Sequence, residues 1–98
     1  MKLEEIKEIL KKHKKELQEN FKIKNIGIFG SYVRGEQREA SDVDILVEFE
    51  ETPSLFDLAE LKYHLSELLG VEVDVVMRSS LRSKPRIGER ILKEVVMV

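Results

Sequence analysis

The sequence has 98 residues, 42% of them hydrophobic and 37% charged, which allows one hydrophobic core but not two. We therefore expect a single domain over residues 1–98. The formal net charge of -2 excludes a global attraction to nucleic acid or to an anionic membrane, so direct nucleic-acid binding is not expected. The chain has no cysteine and no apolar run long enough to span a bilayer, which indicates a soluble cytoplasmic protein without disulfides or thiolate metal sites.

The spacing of apolar residues predicts the elements of the first half of the chain. An amphipathic helix is expected over about residues 3–19, where apolar positions recur at steps of three and four. A short β-branched strand follows over residues 23–29 and stops at Gly30. The polar segment of residues 31–40 is expected to form a short helical turn and a loop, and a second strand runs from about residue 42 to 49.

The second half of the chain begins with a helix after Pro53 and Ser54. Its apolar stripe consists of Leu58, Leu61, Leu65 and Leu68 and ends at Gly70, a natural C-terminal cap. A third strand is expected over residues 71–76, then a basic loop over residues 78–86, a short helix around residues 89–93 and an apolar tail. This order predicts an α+β (α/β) fold in which helices pack against a small mixed sheet.

Two carboxylates stand on the second strand as Asp42-Val43-Asp44. Because side chains alternate between the faces of a strand, both carboxylates project from one face, with Cα atoms about 6 to 7 Å apart. At that spacing they can converge on a shared cation. The same parity on the third strand points Val73 into the core and Asp74 to the opposite face.

An acid without a partner in an apolar strand opposes folding by several kcal/mol, and a divalent metal would remove that penalty. The pattern Asp-x-Asp is nevertheless short and common. Taken alone, it is more typical of an Asp42 that starts its strand in solvent, an Asp44 that makes a salt bridge, and an Asp74 on an exposed strand face.

The first strand runs directly into Gly30-Ser31. At a strand-to-helix junction, glycine permits a close approach of the backbone, and free N–H groups with a serine hydroxyl can donate to phosphate oxygens. Gly-Ser is also a common turn, and serine is a frequent N-cap. A phosphate cradle facing an acidic pair favours metal-assisted chemistry at phosphorus.

These residues together resemble a known signature. They are similar to the motif of the DNA polymerase β-type nucleotidyltransferase superfamily, which here reads Gly30-Ser31, ten intervening residues, Asp42-x-Asp44 and a third strand with Asp74. The resemblance covers nearly the whole chain, and its smallest members are the minimal nucleotidyltransferases. It implies the polymerase β-type nucleotidyltransferase fold.

The resemblance also implies roles for individual residues. Asp42, Asp44 and Asp74 would be the catalytic and metal-binding residues, holding two Mg²⁺ ions between them, with Asp74 near the attacking hydroxyl. Gly30 and Ser31 would bind the β- and γ-phosphates of the nucleotide.

The basic residues are each open to more than one interpretation. Arg34 would either add a positive charge to the phosphate site or remain a surface arginine on the turn. The cations Arg78, Arg82, Lys84 and Arg86 would lie near the active site, form a solvated loop or dock a partner.

By the same resemblance, the protein is expected to transfer AMP from ATP, or NMP from another NTP, to an acceptor hydroxyl with release of pyrophosphate. The family implies that the acceptor is a tyrosine of a partner HEPN ribonuclease toxin, so that the protein would act as the antitoxin of a two-gene toxin–antitoxin system. Two alternatives remain: a non-catalytic antitoxin that binds its partner and senses nucleotide, and transfer to a small molecule or an RNA end.

Overall fold

The computed structural model describes all residues from Met1 to Val98. The helices are α1 (Leu3–Phe21), α2 (Ser31–Arg34), α3 (Leu55–Leu69) and α4 (Pro85–Glu94), with a 3₁₀ helix over Arg78–Ser83. The strands are β1 (Ile23–Phe29), β2 (Val43–Phe49), β3 (Val73–Met77) and β4 (Val96–Met97). None of these helices combines the length and the apolar character that a membrane span requires.

The four strands form one mixed sheet in the order β3-β2-β1-β4. Strand β1 runs antiparallel to β2 and to β4, whereas β2 and β3 are parallel. The α+β fold with a small mixed sheet is therefore confirmed.

Helices α1 and α3 cover one face of the sheet and enclose the main core. The helices contribute Ile6, Leu10, Leu17, Leu61, Leu65 and Leu69, which meet sheet residues such as Ile26, Ile28, Val43, Ile45, Val47 and Val73. The buried face of α3 ends in Leu69, whereas Leu58 and Leu68 of the predicted stripe are only half-buried. Ser54 is the N-cap of α3, as the sequence predicts, and its hydroxyl accepts a hydrogen bond from the Asp57 N–H at 3.1 Å.

The prediction of a basic loop over residues 78–86 was wrong. Residues Arg78–Ser83 form a 3₁₀ helix, and Pro85 opens α4, where its fixed φ suits the first helical turn. The segment is ordered by apolar contact, since Leu81 and Ile91 pack with Phe29 and Leu46 in a second, smaller core on the other face of the sheet.

The apolar tail forms the edge strand β4, which the sequence did not predict. It pairs with β1 through Gly27 opposite Met97 and Ile28 opposite Val96. A Cβ atom at Gly27 would lie 2.7 Å from Val95 Cγ2 and 2.8 Å from Met97 Sδ. The missing side chain of Gly27 therefore lets the C-terminal strand lie against the sheet.

Replacing Gly27 by alanine is expected to weaken the pairing of β4 and to destabilise the protein by about 1–3 kcal/mol, the usual range for overpacking. Denaturant unfolding would measure the loss, and amide exchange at the Val98 N–H, which donates to the Ile26 carbonyl, would locate it at β4. Unchanged stability and protection would show that β4 adjusts without loss.

Candidate active site

The sheet register brings the predicted acidic residues to one place. Asp44 is paired in register with Asp74 on β3 and lies opposite Phe29 at the end of β1. Asp42 precedes β2 by one residue and is exposed. Because Asp42, Asp44 and Asp74 share the strand parity that faces away from the main core, their carboxylates occupy the same side of the sheet. Gly30 follows Phe29 directly and completes the group.

Gly30 packs directly against the acidic pair. Its φ of 84° and ψ of -156° lie in a backbone region that is open essentially to glycine alone. A Cβ atom at this position would collide with the Asp44 carboxylate. Ser31, the next residue, is the first residue of α2. The strand-to-helix junction and the carboxylate thus form one continuous surface, and the direct contact between Gly30 and Asp44 is the detail that the sequence did not show.

The loop that connects α2 to β2 is fixed by two residues. The hydroxyl of the buried Tyr32 donates to the Ser41 carbonyl at 3.3 Å, and the Arg38 N–H donates to the Ser41 hydroxyl at 2.8 Å. Ser41 therefore braces the chain immediately before Asp42. Tyr32 packs its ring in the main core, so it is not a surface for stacking a nucleobase.

Asp44 lies in an environment that disfavours its charged form. Burial raises the pKa of its carboxyl, and the negative charges of Asp74 and Asp42 raise the pKa further, whereas the positive charge of Arg34 lowers it. The fold therefore keeps the half-buried Asp44 carboxylate close to two other negative charges, which repel it. Such an environment favours a bound cation, because a cation offsets both the desolvation and the repulsion.

The residues fit Mg²⁺ by their chemistry, although they do not form a complete metal site. No group of three or more His, Cys, Asp or Glu side chains is arranged to enclose an ion. Mg²⁺ prefers oxygen ligands and is commonly bound by one or two carboxylates together with substrate phosphates. An acidic pair beside Gly30-Ser31, the predicted phosphate-binding residues, fits that mode of binding. The metal roles of Asp42, Asp44 and Asp74 remain a prediction.

Arg34 stands at the end of α2 and is bound to two acids. Its Nε atom donates to Glu36 Oε1 at 2.7 Å, and its Nη1 atom donates to Glu94 Oε1 at 2.5 Å. These hydrogen bonds, first that to Glu36 and then that to Glu94, raise the pKa of the guanidinium. The guanidinium is thus an anchored group whose charge reaches Asp44, rather than a freely moving surface side chain.

Sequence reasoning missed three neighbours of the site. Glu36 is two residues from Arg34, and the spacing gave no sign of the contact. Glu94 lies 60 residues along the chain from Arg34. Lys62 of α3 places its Nζ atom 4.0 Å from Asp74 Oδ1, which puts a positive charge on the β3 side of the acids.

The basic residues that follow β3 differ in their contacts. No ion pair is formed by Arg82, Lys84 or Arg86. The Arg78 Nη1 atom lies 3.9 Å from Glu48 Oε2, and Glu48 is near the other end of β2 from Asp44.

The fold is that of a nucleotide-transfer domain, and the chain belongs to the nucleotidyltransferase domain family, whose model matches residues 10–98. A relative from Thermococcus cleftensis, protein adenylyltransferase MntA, is 59% identical over 96 residues, covering 98% of this chain and 95% of that protein.

Two solved structures extend the comparison. One, described as a candidate minimal nucleotidyltransferase, is 41% identical and aligns with a TM-score of 0.80 over 98% of this chain and 95% of the other. The second is a tri-AMPylated Shewanella oneidensis HEPN toxin in complex with an MNT antitoxin. The matching chain of that complex is 26% identical to this chain and aligns with a TM-score of 0.66, over 94% of this chain and 70% of the other. The resemblance to the minimal nucleotidyltransferases is thereby confirmed.

Proposed function

We propose that this protein transfers AMP from ATP to a tyrosine hydroxyl of a partner HEPN toxin and so silences the partner. The observation that carries the proposal is the packing of Gly30 against Asp44, with Asp74 paired beside it. This arrangement supports a phosphate-binding role for Gly30 and a metal-binding role for the acids beside it. The relatives described above, an adenylyltransferase and an antitoxin bound to an AMPylated toxin, support AMP as the transferred group and a protein as the acceptor.

In the proposed reaction, the acceptor oxygen forms a bond to the α-phosphorus of ATP while the bond from that phosphorus to the bridging oxygen breaks. Pyrophosphate leaves with the electron pair of that bond. Bound Mg²⁺, which we propose as two ions, would supply stabilisation of the negative charge on the entering and leaving oxygens. The acceptor hydroxyl loses its proton, and Asp74 would orient that hydroxyl or accept the proton.

Each predicted residue has a part in this mechanism. Asp42 and Asp44 would hold the metal, and Asp74 would complete the second position at the acceptor side. Gly30 and Ser31 would bind the β- and γ-phosphates, where a glycine backbone permits the closest approach. Arg34 would contribute a fixed positive charge to the leaving phosphates. We propose that residues 1–98 act as one such domain in the cytoplasm, where ATP and Mg²⁺ are available.

The test is a mass spectrum of the HEPN partner after incubation with this protein, ATP and Mg²⁺. We expect a gain of one or more AMP units on a tyrosine, and no gain with Asp42→Asn, because that variant lacks a metal-binding carboxylate. Glu60→Gln is the matched control, since Glu60 is an exposed acid of α3 without an ion pair. It should transfer AMP as the unmodified protein does.

Three other outcomes would count against the proposal. A partner that is bound and inactivated without any gain in mass would indicate a non-catalytic binding module. Transfer to an RNA end or a small molecule, with the partner unmodified, would move the acceptor assignment. Neutralisation by Asp42→Asn at the same concentration as the unmodified protein would also favour the binding module.

A further inference from the structure

Glu94, the last residue of α4, accepts a hydrogen bond from Arg34, which lies beside the proposed phosphate site. The Glu94 side chain is 19% exposed, whereas that of Glu36, the other acid bound to Arg34, is 60% exposed. Glu94 is therefore the more shielded of the two anchors. It also joins two segments that are far apart in sequence, α2 after the phosphate cradle and α4 from the C-terminal end of the chain.

The hydrogen bonds leave one edge of the guanidinium unused. Arginine carries five N–H donors, on Nε, Nη1 and Nη2. In this structure Nε bonds to Glu36 and Nη1 bonds to Glu94, and Nη2 bonds to no protein atom. The two acids thus fix the plane of the guanidinium while its Nη2 donors stay available to an anionic oxygen.

The backbone of Arg34 lies beside the proposed phosphate site. The Arg34 N–H donates to the Gly30 carbonyl at 3.2 Å, so the backbone of Arg34 is one helical turn from the glycine that packs on Asp44. The positive charge of Arg34 lowers the pKa of the Asp44 carboxyl, and the negative charge of Glu94 raises it.

A purely local role gives no reason for an acid at this position. A negative charge at the C-terminal end of a helix is disfavoured by the helix dipole. Glu94 is the last residue of α4, and its bond to Arg34 offsets that disadvantage.

We infer that Glu94 is a positioning residue for nucleotide binding: it holds the Arg34 guanidinium so that the free Nη2 edge can donate to a phosphate of ATP. The inference rests on the proposed function, because it takes ATP as the substrate. It assigns to the C-terminal helix a part in a site that the motif residues place entirely between residues 30 and 74.

The test is a double-mutant cycle on ATP binding and transfer. Glu94→Ala and Arg34→Ala should each raise the KM for ATP and weaken equilibrium ATP binding by about tenfold, as expected for weakening one charge-assisted hydrogen bond. The effect on kcat should be smaller. The double variant should be no worse than Arg34→Ala, because Glu94 acts through Arg34. Glu94→Gln keeps an acceptor oxygen and should recover part of the affinity.

The control is Glu89→Gln, an exposed acid on the same helix that pairs only with Lys93. It should bind ATP as the unmodified protein does. Unchanged ATP affinity in Glu94→Ala, with or without a loss of thermal stability, would show that the contact only attaches α4 and would overturn the inference. Independent, multiplicative losses in the double variant would overturn it as well.

Equilibrium ATP binding also separates this inference from the proposed function. If the unmodified protein binds ATP but transfers no AMP, the proposed function fails, and the binding cycle still decides the role of Glu94. If the unmodified protein binds no ATP, both fail together.

Discussion

Replacing Asp44 by asparagine is expected to reduce AMP transfer by about a thousandfold or more, since a metal-held charge contributes several kcal/mol to transition-state stabilisation and each factor of ten corresponds to about 1.4 kcal/mol. In the absence of magnesium, the same change is expected to stabilise the fold. The asparagine has nearly the same shape, and it removes the repulsion from Asp42 and Asp74 together with the cost of burying a charge.

The pH dependence of this gain follows from the raised pKa of Asp44. Its carboxyl has a folded-state pKa above the ordinary value of 3.8, so the folded protein holds this proton more tightly than the unfolded chain. The resulting contribution to stability is fully present below the unfolded pKa and is lost as the pH rises through the folded pKa. Asp44→Asn should therefore be more stable than the unmodified protein at neutral pH. This difference should shrink as the pH falls through the raised folded pKa of Asp44 toward 3.8, and it should change no further below 3.8.

Thermal unfolding with and without Mg²⁺ would check both parts of this prediction. Magnesium should raise the Tm of the unmodified protein through binding to the folded state, and it should not raise the Tm of Asp44→Asn. Glu60→Gln, which removes a distant charge, should respond to magnesium as the unmodified protein does. Equal magnesium responses in all three proteins would argue against a metal site at Asp44.

Replacing Gly30 by alanine is expected to damage both stability and transfer. The backbone at Gly30 lies in a region that costs other residues about 1–3 kcal/mol, and the new methyl group would displace the Asp44 carboxylate. A displacement on the order of 1 Å at a reacting group can reduce the rate about a hundredfold. We therefore expect a loss of transfer that exceeds what the loss of stability explains.

Gly70→Ala provides the matched comparison for Gly30→Ala. Gly70 also has a positive φ, of 70°, yet no atom lies within 4 Å of the position that its Cβ would take. This variant should lose stability, by about 1 kcal/mol, and keep its rate of transfer. Measuring unfolding and initial transfer rates on both variants would separate backbone strain from the collision with Asp44. Equal rates in the two variants would show that the contact with Asp44 is dispensable.

The structure shows how the Arg34 side chain is held, which bears on its proposed contact with the nucleotide. The sequence left Arg34 open between a phosphate ligand and a surface residue. The structure binds its Nε and Nη1 atoms to two acids. A guanidinium held in this way loses less side-chain entropy when it binds a phosphate, because its orientation is already fixed.

The sequence by itself determined the local features of this protein. The strand that ends at Gly30, the amphipathic α1, and α3 between Ser54 and Gly70 all follow from periodicity, capping and glycine chemistry within short windows. The acid pair Asp42-x-Asp44 and the cradle Gly30-Ser31 were recognisable for the same reason, because their chemistry and spacing are contiguous in the chain.

Only the tertiary structure decided which distant residues meet. The pairing of Asp44 with Asp74 depends on the register of two parallel strands, and the contact of Arg34 with Glu94 depends on where α4 packs over the sheet. The ordering of residues 78–94 and the addition of β4 likewise depend on Leu81, Ile91 and Gly27 finding partners across the fold. Such contacts are set by burial and backbone pairing between remote segments, and no local pattern in the sequence encodes them.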